Sequence, residues 1–209
     1  MLRNMYNEKT EVFMKVSREQ VAENRRKILD AAVRLLCERG FDAVTLGDVM
    51  KEAGLTHGGF YGYFQSKDDL LAQACAYAVV RDREVTVQPL QDYAVNYLST
   101  NHRDNRAEGC PFSAIGTEAV RQSPEIRRKL TEGLRRYIDR FSETAAGSKP
   151  AQRRVDAIAS FSAMLGGVIL ARIVDDGKLS DEVLSANRKT LAAAANGGGS
   201  PRAKRGSPR

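Results

Sequence analysis

Three helix-start signals lie in the first third of this 209-residue chain and restrict how that third folds. Each is a Ser or Thr whose hydroxyl can accept a hydrogen bond from the first turn of a helix, followed three residues later by Gln or Asp. The pairs are Ser17 with Gln20, Thr45 with Asp48, and Ser66 with Asp69. Gly40 and Gly54 are the stop signals between them, because glycine readily adopts the conformation that ends a helix. The spacing predicts a long helix, two short ones and a long fourth.

The apolar residues of this segment recur at helical spacing. In the long first helix they are Val21, Ile28, Ala31, Ala32, Leu35 and Leu36. Gly40 is expected to close that helix, with Phe41 packing back onto it. Thr56 is expected to cap the third helix, which carries Phe60, Tyr61 and Phe64, and Leu70, Leu71, Ala74 and Ala78 mark the fourth.

The two short helices are separated by a tight turn, Ala53-Gly54-Leu55, which is the pattern of a helix-turn-helix that reads DNA. The predicted buried side consists of Leu46, Val49, Ala53, Leu55, Phe60 and Phe64. Thr56, His57, Gly58 and Gly59 then face outward at the start of the second short helix. Small or polar residues suit this place, because the first turn of a reading helix must approach base edges in the major groove.

The stretch from Thr45 to Leu71 closely resembles the DNA-binding domain of TetR-family regulators, most specifically in its ending Phe-Tyr-x-Tyr-Phe-x-Ser-Lys-x-x-Leu. The resemblance implies that Thr45 caps the first helix of the motif near a phosphate. It also implies that Tyr61, Tyr63 and Lys67 contact phosphates, which positions the protein without reading sequence. Base reading is expected of Thr56, His57 and Gly58. Gly47 departs from the family pattern, since some members have a base-contacting side chain there.

Other interpretations of these residues stay open. The segment would also form a plain three-helix bundle with exposed polar turns, and His57 would then be only an exposed residue at a helix start. Arg18, Arg25, Arg26 and Lys27 on the first helix either reach the DNA backbone or form a solvated face.

Net charge does not decide the function. The chain carries a formal charge of +7, but residues 1–80 hold 11 Lys and Arg against 11 Asp and Glu. Four of the positive charges lie in the tail beyond Gly197, which has no acidic residue. The prediction of DNA binding therefore depends on capping, spacing and groove fit.

The remainder of the chain is also predicted to be helical, with no alternating strand pattern. A fifth helix contains Ala94, Tyr97 and Leu98, and residues 101–109 are predicted to be a polar loop. Further helices are expected to start at Pro111, at Ser123-Pro124, at Pro150 and at Ser180.

The helix after Pro150 has two apolar stripes, so it needs two partners. One stripe is Val155, Ile158, Ser162, Leu165 and Ile169, and the other is Ala157, Phe161, Met164, Val168 and Ala171. We expect one stripe to close the core and the other to pack on a second copy, with Gly166 and Gly167 allowing close approach. A homodimer also suits a site with two-fold symmetry. Burial of both stripes within one chain is the alternative.

An effector pocket is expected among the middle helices, where aromatic and apolar side chains would line it. The candidates are Tyr77, Tyr97, Cys110, Phe112, Tyr137, Phe161 and Met164. The alternative is that these residues are ordinary core. Cys110 precedes Pro111 at a helix N-terminus, where the helix dipole favours the thiolate, so it is either a sensor of reactive species or a small residue at a junction.

The predicted fold class is all-α: an N-terminal three-helix helix-turn-helix domain joined by a long helix to a C-terminal helical bundle for ligand binding and dimerisation. The predicted divisions are a flexible extension (1–16), the DNA-binding domain (17–66), the effector and dimerisation domain (67–195) and a disordered basic tail (196–209).

The sequence predicts a cytoplasmic regulator, most commonly a repressor, that leaves an inverted-repeat operator when a small molecule binds. We expect no membrane segment, since no run reaches the roughly 18 apolar residues needed. We also expect no cofactor, metal or enzymatic activity, because zinc-ligand, nucleophile and phosphate-loop motifs are absent. Two alternatives remain, namely an architectural DNA-binding protein without an effector and a helical-bundle enzyme.

Overall fold

The computed structural model describes residues 17–84, 88–145 and 147–196, and all their regular structure is helical. The α-helices are α1 Arg18–Ala43, α2 Leu46–Glu52, α3 Lys67–Glu84, α4 Leu90–Tyr97, α5 Thr100–Asp104, α6 Pro111–Ala119, α7 Pro124–Thr144, α8 Pro150–Ile173 and α9 Gly177–Asn196. Two 3-10 helices, His57–Gly62 and Arg106–Glu108, lie between them. The all-helical fold is confirmed. The predicted flexible extension (1–16) and all of the predicted basic tail except Asn196 lie outside the described residues.

Three of the four caps predicted in the N-terminal region form. The hydroxyls of Ser17, Thr45 and Ser66 accept hydrogen bonds from backbone N–H groups three residues later, at 3.1, 3.1 and 3.0 Å. The chain breaks out of helical geometry at Gly40, where φ is +80° and ψ is 177°. Phe41 then turns inward and is buried, as the sequence predicts.

Two expectations about helix starts were wrong in detail. Thr56 precedes a 3-10 helix and makes no side-chain cap, because the glycine-rich turn that follows is wound too tightly for a regular α-helical first turn. The last helix begins at Gly177, three residues before Ser180. The Asp176 carboxylate accepts hydrogen bonds from the backbone N–H groups of Lys178 and Leu179 at 2.8 and 3.3 Å, whereas Ser180 is buried.

The segment 101–109 is not a polar loop but contains α5 and the second 3-10 helix. The Arg172 side chain of α8 fixes this segment by donating hydrogen bonds to the carbonyl oxygens of His102 and Arg103, at 2.7 and 3.0 Å. Arg103 in turn donates to Ser180 and Asp181 of α9, both at 2.8 Å. These contacts come from residues about 70 positions away, so no local pattern could predict them.

Two hydrophobic cores hold the chain together. The first joins α1, α2, the first 3-10 helix, α3, α6 and the first turns of α7, with Ile28, Val49, Phe60 and Leu70 fully buried. The second lies among α4, α7, α8 and α9, around Phe141, Phe161 and Met164. Helix α3 contributes to both, since Leu70 and Ala74 face the first core and Val79 faces the second. The long helix α3 therefore connects the two, as predicted.

Helix α8 packs one of its two stripes and exposes much of the other. Ala157, Phe161, Met164, Val168 and Ala171 are all at most 3% exposed. On the other stripe, Val155 and Ile158 are 58% and 43% exposed. The expectation for the glycines needs correction, because Gly167 lies inside the protomer against Leu98 and Asn187 and only Gly166 is open.

Within the described residues, α8 is also the one helix that is long and apolar enough to cross a bilayer by length and composition alone. It contacts α7 and α9 extensively, and its most apolar window is 33% buried. A core helix of a helical bundle has this composition for packing reasons, so the finding is weak evidence for a membrane span.

Candidate nucleic-acid interface

The helix-turn-helix begins at Thr45, an exposed residue that caps α2 in two ways. Its hydroxyl oxygen accepts from the backbone N–H of Asp48, and its own proton goes to the Asp48 carboxylate at 2.7 Å. The carboxylate therefore competes with any phosphate for the Thr45 proton. The backbone N–H groups in the first turn of α2 that have no partner within the helix are then the other donors available to a phosphate.

The turn and the 3-10 helix present a small, exposed edge. Gly54 has a φ of +71° and redirects the chain, after which Thr56, His57 and Gly58 are all exposed. Phe60 anchors this edge from below, being fully buried and stacked on Phe64 with ring centroids 5.8 Å apart. The structure therefore places the three predicted base-reading residues on one exposed turn above the buried rings of Phe60 and Phe64.

The predicted phosphate donors differ in how firmly they are held. Tyr61 is 73% exposed, and its one aromatic contact among the described residues is edge-to-face with Phe60, at 5.1 Å between centroids. Tyr63 is half-buried, and its hydroxyl oxygen accepts a hydrogen bond from the Asn24 side chain at 3.0 Å. Lys67 is also half-buried, with its ammonium group 3.5 Å from the carbonyl oxygen of Phe41.

Two of the four basic residues on α1 already have partners within the protein. Arg25 donates to the Gln73 side chain and lies over the Phe64 ring, with its guanidinium carbon 5.0 Å from the ring centroid. Lys27 pairs with Glu23 at 2.9 Å on the helix surface. Arg18 and Arg26 are exposed. Arg25 therefore stabilises the packing of α1 on α3.

Sequence reasoning missed Asn24 and Gln73, which make side-chain hydrogen bonds to Tyr63 and Arg25 beneath the motif. Gln73 continues the contact by donating to Asp69 at 2.6 Å, and Asp69 accepts from the backbone N–H of Gln65 at 2.9 Å. Their positions on the α1 and α3 faces that meet beneath the motif are the only sequence signal, and that signal does not specify hydrogen bonds.

Three of the predicted effector residues line one cavity of about 260 Å³. These are Tyr97, Cys110 and Tyr137, and the other walls include Val33 of α1, Ala78 and Arg81 of α3, Tyr93 of α4 and Glu108. Phe112, Phe161 and Met164 pack instead in and around the second core, where Met164 is fully buried. Tyr77 packs against the first core, and its pKa is raised by burial and by a hydrogen bond with Asp30.

Cys110 lies at the N-terminus of α6, where its backbone is held by the imidazole of His102. The backbone N–H of Cys110 donates to Nε2 of His102 at 3.0 Å, and Nδ1 of the same ring is 2.6 Å from the Tyr97 carbonyl oxygen. Since Nε2 accepts and Nδ1 donates, these contacts require the neutral ring with its proton on Nδ1. Burial raises the pKa of Tyr97, which keeps that phenol neutral beside Cys110.

A second cavity, of about 500 Å³, lies between the end of α7 and helices α4, α8 and α9. Its wall consists largely of small side chains, among them Ala94, Ala159 and Ala163, together with Leu90 and Leu191. None of the predicted effector residues lines it.

The comparisons with known proteins agree with this geometry. The family model described as bacterial regulatory proteins, tetR family, matches residues 28–74, which include the helix-turn-helix. The HTH-type transcriptional regulator Rv0196 of Mycobacterium tuberculosis (strain ATCC 25618 / H37Rv) is 28% identical over 175 residues, covering 73% of this chain and 86% of that protein. Residues 28–74 therefore form a DNA-binding domain of the TetR family.

Further similarities to TetR-family proteins are local in sequence and extensive in fold. AcrR of Shigella flexneri is 37% identical over 57 residues, which is 27% of this chain and 26% of AcrR. The reduced form of E. coli NemR superposes with a TM-score of 0.66 at 20% identity, covering 81% of this chain and 95% of NemR. Bacillus subtilis FadR, solved with stearoyl-CoA, has a TM-score of 0.57 at 19% identity, covering 82% and 98%. The protein is thus a DNA-binding transcriptional regulator of helix-turn-helix type.

Proposed function

We propose that this TetR-family regulator is a homodimeric repressor that binds an inverted-repeat operator and leaves it when a small molecule enters the cavity beside Cys110. The observation that carries the DNA contact is the exposed turn of Thr56, His57 and Gly58 above the buried ring of Phe60. Small side chains let the backbone approach base edges, and His57 is the one of the three with a long polar side chain for reading them. Tyr61, Tyr63, Lys67 and the Thr45 end of α2 hold the phosphates on either side.

The exposed stripe of α8 supports the homodimer. Val155 and Ile158 lie on one face of the helix together with Ser162, and Gly166 adds a place without a side chain. An exposed apolar stripe of this length on a soluble helix favours burial against another surface. A second copy related by a two-fold axis fits best, because two reading turns must then enter major grooves about 34–36 Å apart.

The cavity of about 260 Å³ is the better candidate for the effector site, because α1 and α3 form part of its wall. Its volume is below the usual range for drug-sized ligands, so the effector is a small compound. Its charged wall residues, Arg81 and Glu108, pair with each other at 2.6 Å, and the rest is mainly aromatic and apolar. This favours a small apolar molecule, or a reactive species that meets the Cys110 thiol.

Three sets of contacts would carry a change at the cavity to the DNA-binding region. Arg34 of α1 pairs with Glu108 at 3.3 Å, next to the cavity wall. The Glu118 carboxylate of α6 accepts a hydrogen bond from the backbone N–H of Phe41 at 2.9 Å. Ser123, at the start of α7, donates to Asp68 of α3 at 2.9 Å. A ligand that binds better when these contacts shift would lower DNA affinity by linkage.

The test begins with selection of bound duplexes from a random DNA pool, and the selected duplex then serves for all affinity measurements. The double variant Tyr61→Ala with Lys67→Ala is expected to weaken binding and to reduce the slope of log K against log salt by about 1, since one cation leaves the phosphates. Lys178→Ala removes an exposed lysine on α9 and serves as the control, with an unchanged slope expected. An unchanged slope in the double variant would contradict the phosphate assignment.

The effector proposal is tested separately by screening small compounds for release of the selected duplex. An architectural DNA-binding protein would show no ligand-dependent change in affinity. For the reactive-species alternative, Cys110→Ser is expected to abolish the response of DNA binding to oxidants. An equal response in that variant would exclude Cys110 as a sensor, while the proposal that the protein binds DNA would stand.

A further inference from the structure

A pair of side-chain hydrogen bonds links the start of α1 to the end of the reading turn. Gln20 donates through Nε2 to Oδ1 of Asn24 at 3.0 Å, and Asn24 donates through Nδ2 to the Tyr63 hydroxyl at 3.0 Å. Asn24 and Tyr63 are 39 residues apart in the chain. From this geometry, and resting on the proposed phosphate contact of Tyr63, we infer that Asn24 is a positioning residue for DNA binding that sets the direction of the Tyr63 O–H bond.

The direction of each hydrogen bond follows from the chemistry of the groups. An amide NH2 only donates, so the Tyr63 oxygen must be the acceptor of its contact with Asn24. The amide of Asn24 would otherwise be free to turn over, exchanging oxygen and nitrogen. The contact with Gln20 couples the two amides, so Asn24 can turn over only if Gln20 turns over as well. The NH2 of Asn24 is thereby directed at Tyr63.

The consequence for Tyr63 is that its oxygen is occupied on one side while its proton remains available. A phenol rotor between an amide donor and solvent would turn its proton away from the donor. In the part of the chain that the structure describes, no acceptor takes the Tyr63 proton. A hydroxyl that accepts one hydrogen bond is also a somewhat stronger donor in the next. Tyr63 is therefore prepared to donate to a phosphate oxygen, a charge-assisted bond.

The neighbouring Tyr61 provides an internal contrast. It is 73% exposed, and within the described residues its hydroxyl makes no hydrogen bond, so solvent orients that hydroxyl. The two tyrosines, which look equivalent in the sequence motif, therefore have different roles. The Tyr63 side chain is already held by α1, so it loses little conformational freedom when DNA binds, whereas the Tyr61 side chain must be ordered at that point.

The test is a double-mutant cycle with the full chain and its selected duplex. Asn24→Ala is expected to weaken binding by roughly threefold and Tyr63→Phe by roughly tenfold, since the second removes a hydrogen bond to a charged group. When Tyr63→Phe is already present, adding Asn24→Ala should have no further effect, because Asn24 acts only through the hydroxyl. The salt slope should stay constant in all variants, since no cation changes.

Asn24→Asp separates orientation from packing. Its carboxylate would accept the Tyr63 proton, so binding should fall further than in Asn24→Ala. It also brings a negative charge near DNA, but that repulsion acts equally with or without Tyr63→Phe. The extra loss caused by Asn24→Asp should therefore be larger when Tyr63 is intact, and an equal loss in both backgrounds would overturn the inference.

The remaining outcomes are also decisive. An Asn24→Ala effect that persists beside Tyr63→Phe, or that disappears when affinities are corrected for the folded fraction, would mean that Asn24 only supports the fold. No effect of Asn24→Ala would refute the positioning role while leaving the phosphate contact intact. No effect of Tyr63→Phe would remove the contact on which the inference rests. Failure of the wild-type chain to select any duplex would instead refute the proposed function.

Discussion

Replacing Gly40 by alanine is expected to destabilise the protein more than the same change at Gly54, although both glycines have positive φ. The φ of +80° and ψ of 177° at Gly40 lie in a region that is almost restricted to glycine, so alanine costs about 1–3 kcal/mol there. An added Cβ at Gly40 would also lie 2.5 and 2.6 Å from the two carboxylate oxygens of Glu118. At Gly54, with φ +71°, a Cβ would meet nothing within 4 Å.

The carboxylate of Glu118 is the end of a flexible side chain, so it would swing away rather than clash. It would then lose the hydrogen bond from the backbone N–H of Phe41, a buried residue, at a cost of about 1–3 kcal/mol. The two effects at Gly40 together amount to about 4 kcal/mol at the middle of their ranges. Gly54→Ala should cost about 1–2 kcal/mol, from backbone conformation alone.

The assay is urea unfolding followed by circular dichroism, at one protein concentration for all variants because a dimer's stability depends on concentration. For a chain of this length, about 4 kcal/mol corresponds to a fall in Tm of roughly 8–16 °C in a parallel thermal melt. The variant Glu118→Ala, alone and combined with Gly40→Ala, measures the coupling between the two sites. The proposed role of Glu118 would be refuted if Gly40→Ala and Gly54→Ala lowered the free energy of unfolding equally, or if the effects of Gly40→Ala and Glu118→Ala were additive.

Further predictions concern the buried cysteines and the proposed dimer face. Burial raises the pKa of Cys37 and of Cys75 to about 12, so neither thiol should react with iodoacetamide at pH 8 unless the protein is denatured, as mass spectrometry would reveal. Both folded-state pKa values lie above the unfolded value near 9, so the two buried thiols favour the folded state fully below pH 9, and this contribution is lost as the pH rises towards 12. The free energy of unfolding should therefore fall over this pH interval, and a rise would contradict the prediction. Ile158→Asp should convert the dimer to a monomer in sedimentation velocity, whereas Val95→Asp, at a similarly exposed apolar position on α4, should not. A dimer that survives Ile158→Asp would place the interface elsewhere.

Local chemistry in the sequence predicted much of this fold. A hydroxyl three residues before an amide, a glycine after a helix and a proline in a first turn act within one or two turns, so Ser17, Thr45, Ser66 and Pro111 could be interpreted without a structure. The buried stripe of α8 was predictable for a similar reason, since burial imposes a helical period on apolar residues. The exposed turn at Thr56 to Gly58 followed from the same arguments.

What only the tertiary structure decided concerns polar groups brought together over long distances in sequence. Periodicity tells which face of a helix is buried, but it does not tell which donor on that face meets which acceptor. Asn24 therefore had no visible role until it was placed against Tyr63, and Arg25 resembled a phosphate ligand until it was placed over Phe64. Cys110 and Tyr97 share a cavity with α1 and α3, while Met164 does not, because helix packing separates side chains that look alike in the sequence. Hydrogen bonds require positions accurate to a few tenths of an ångström, and those positions come from the packing of both cores.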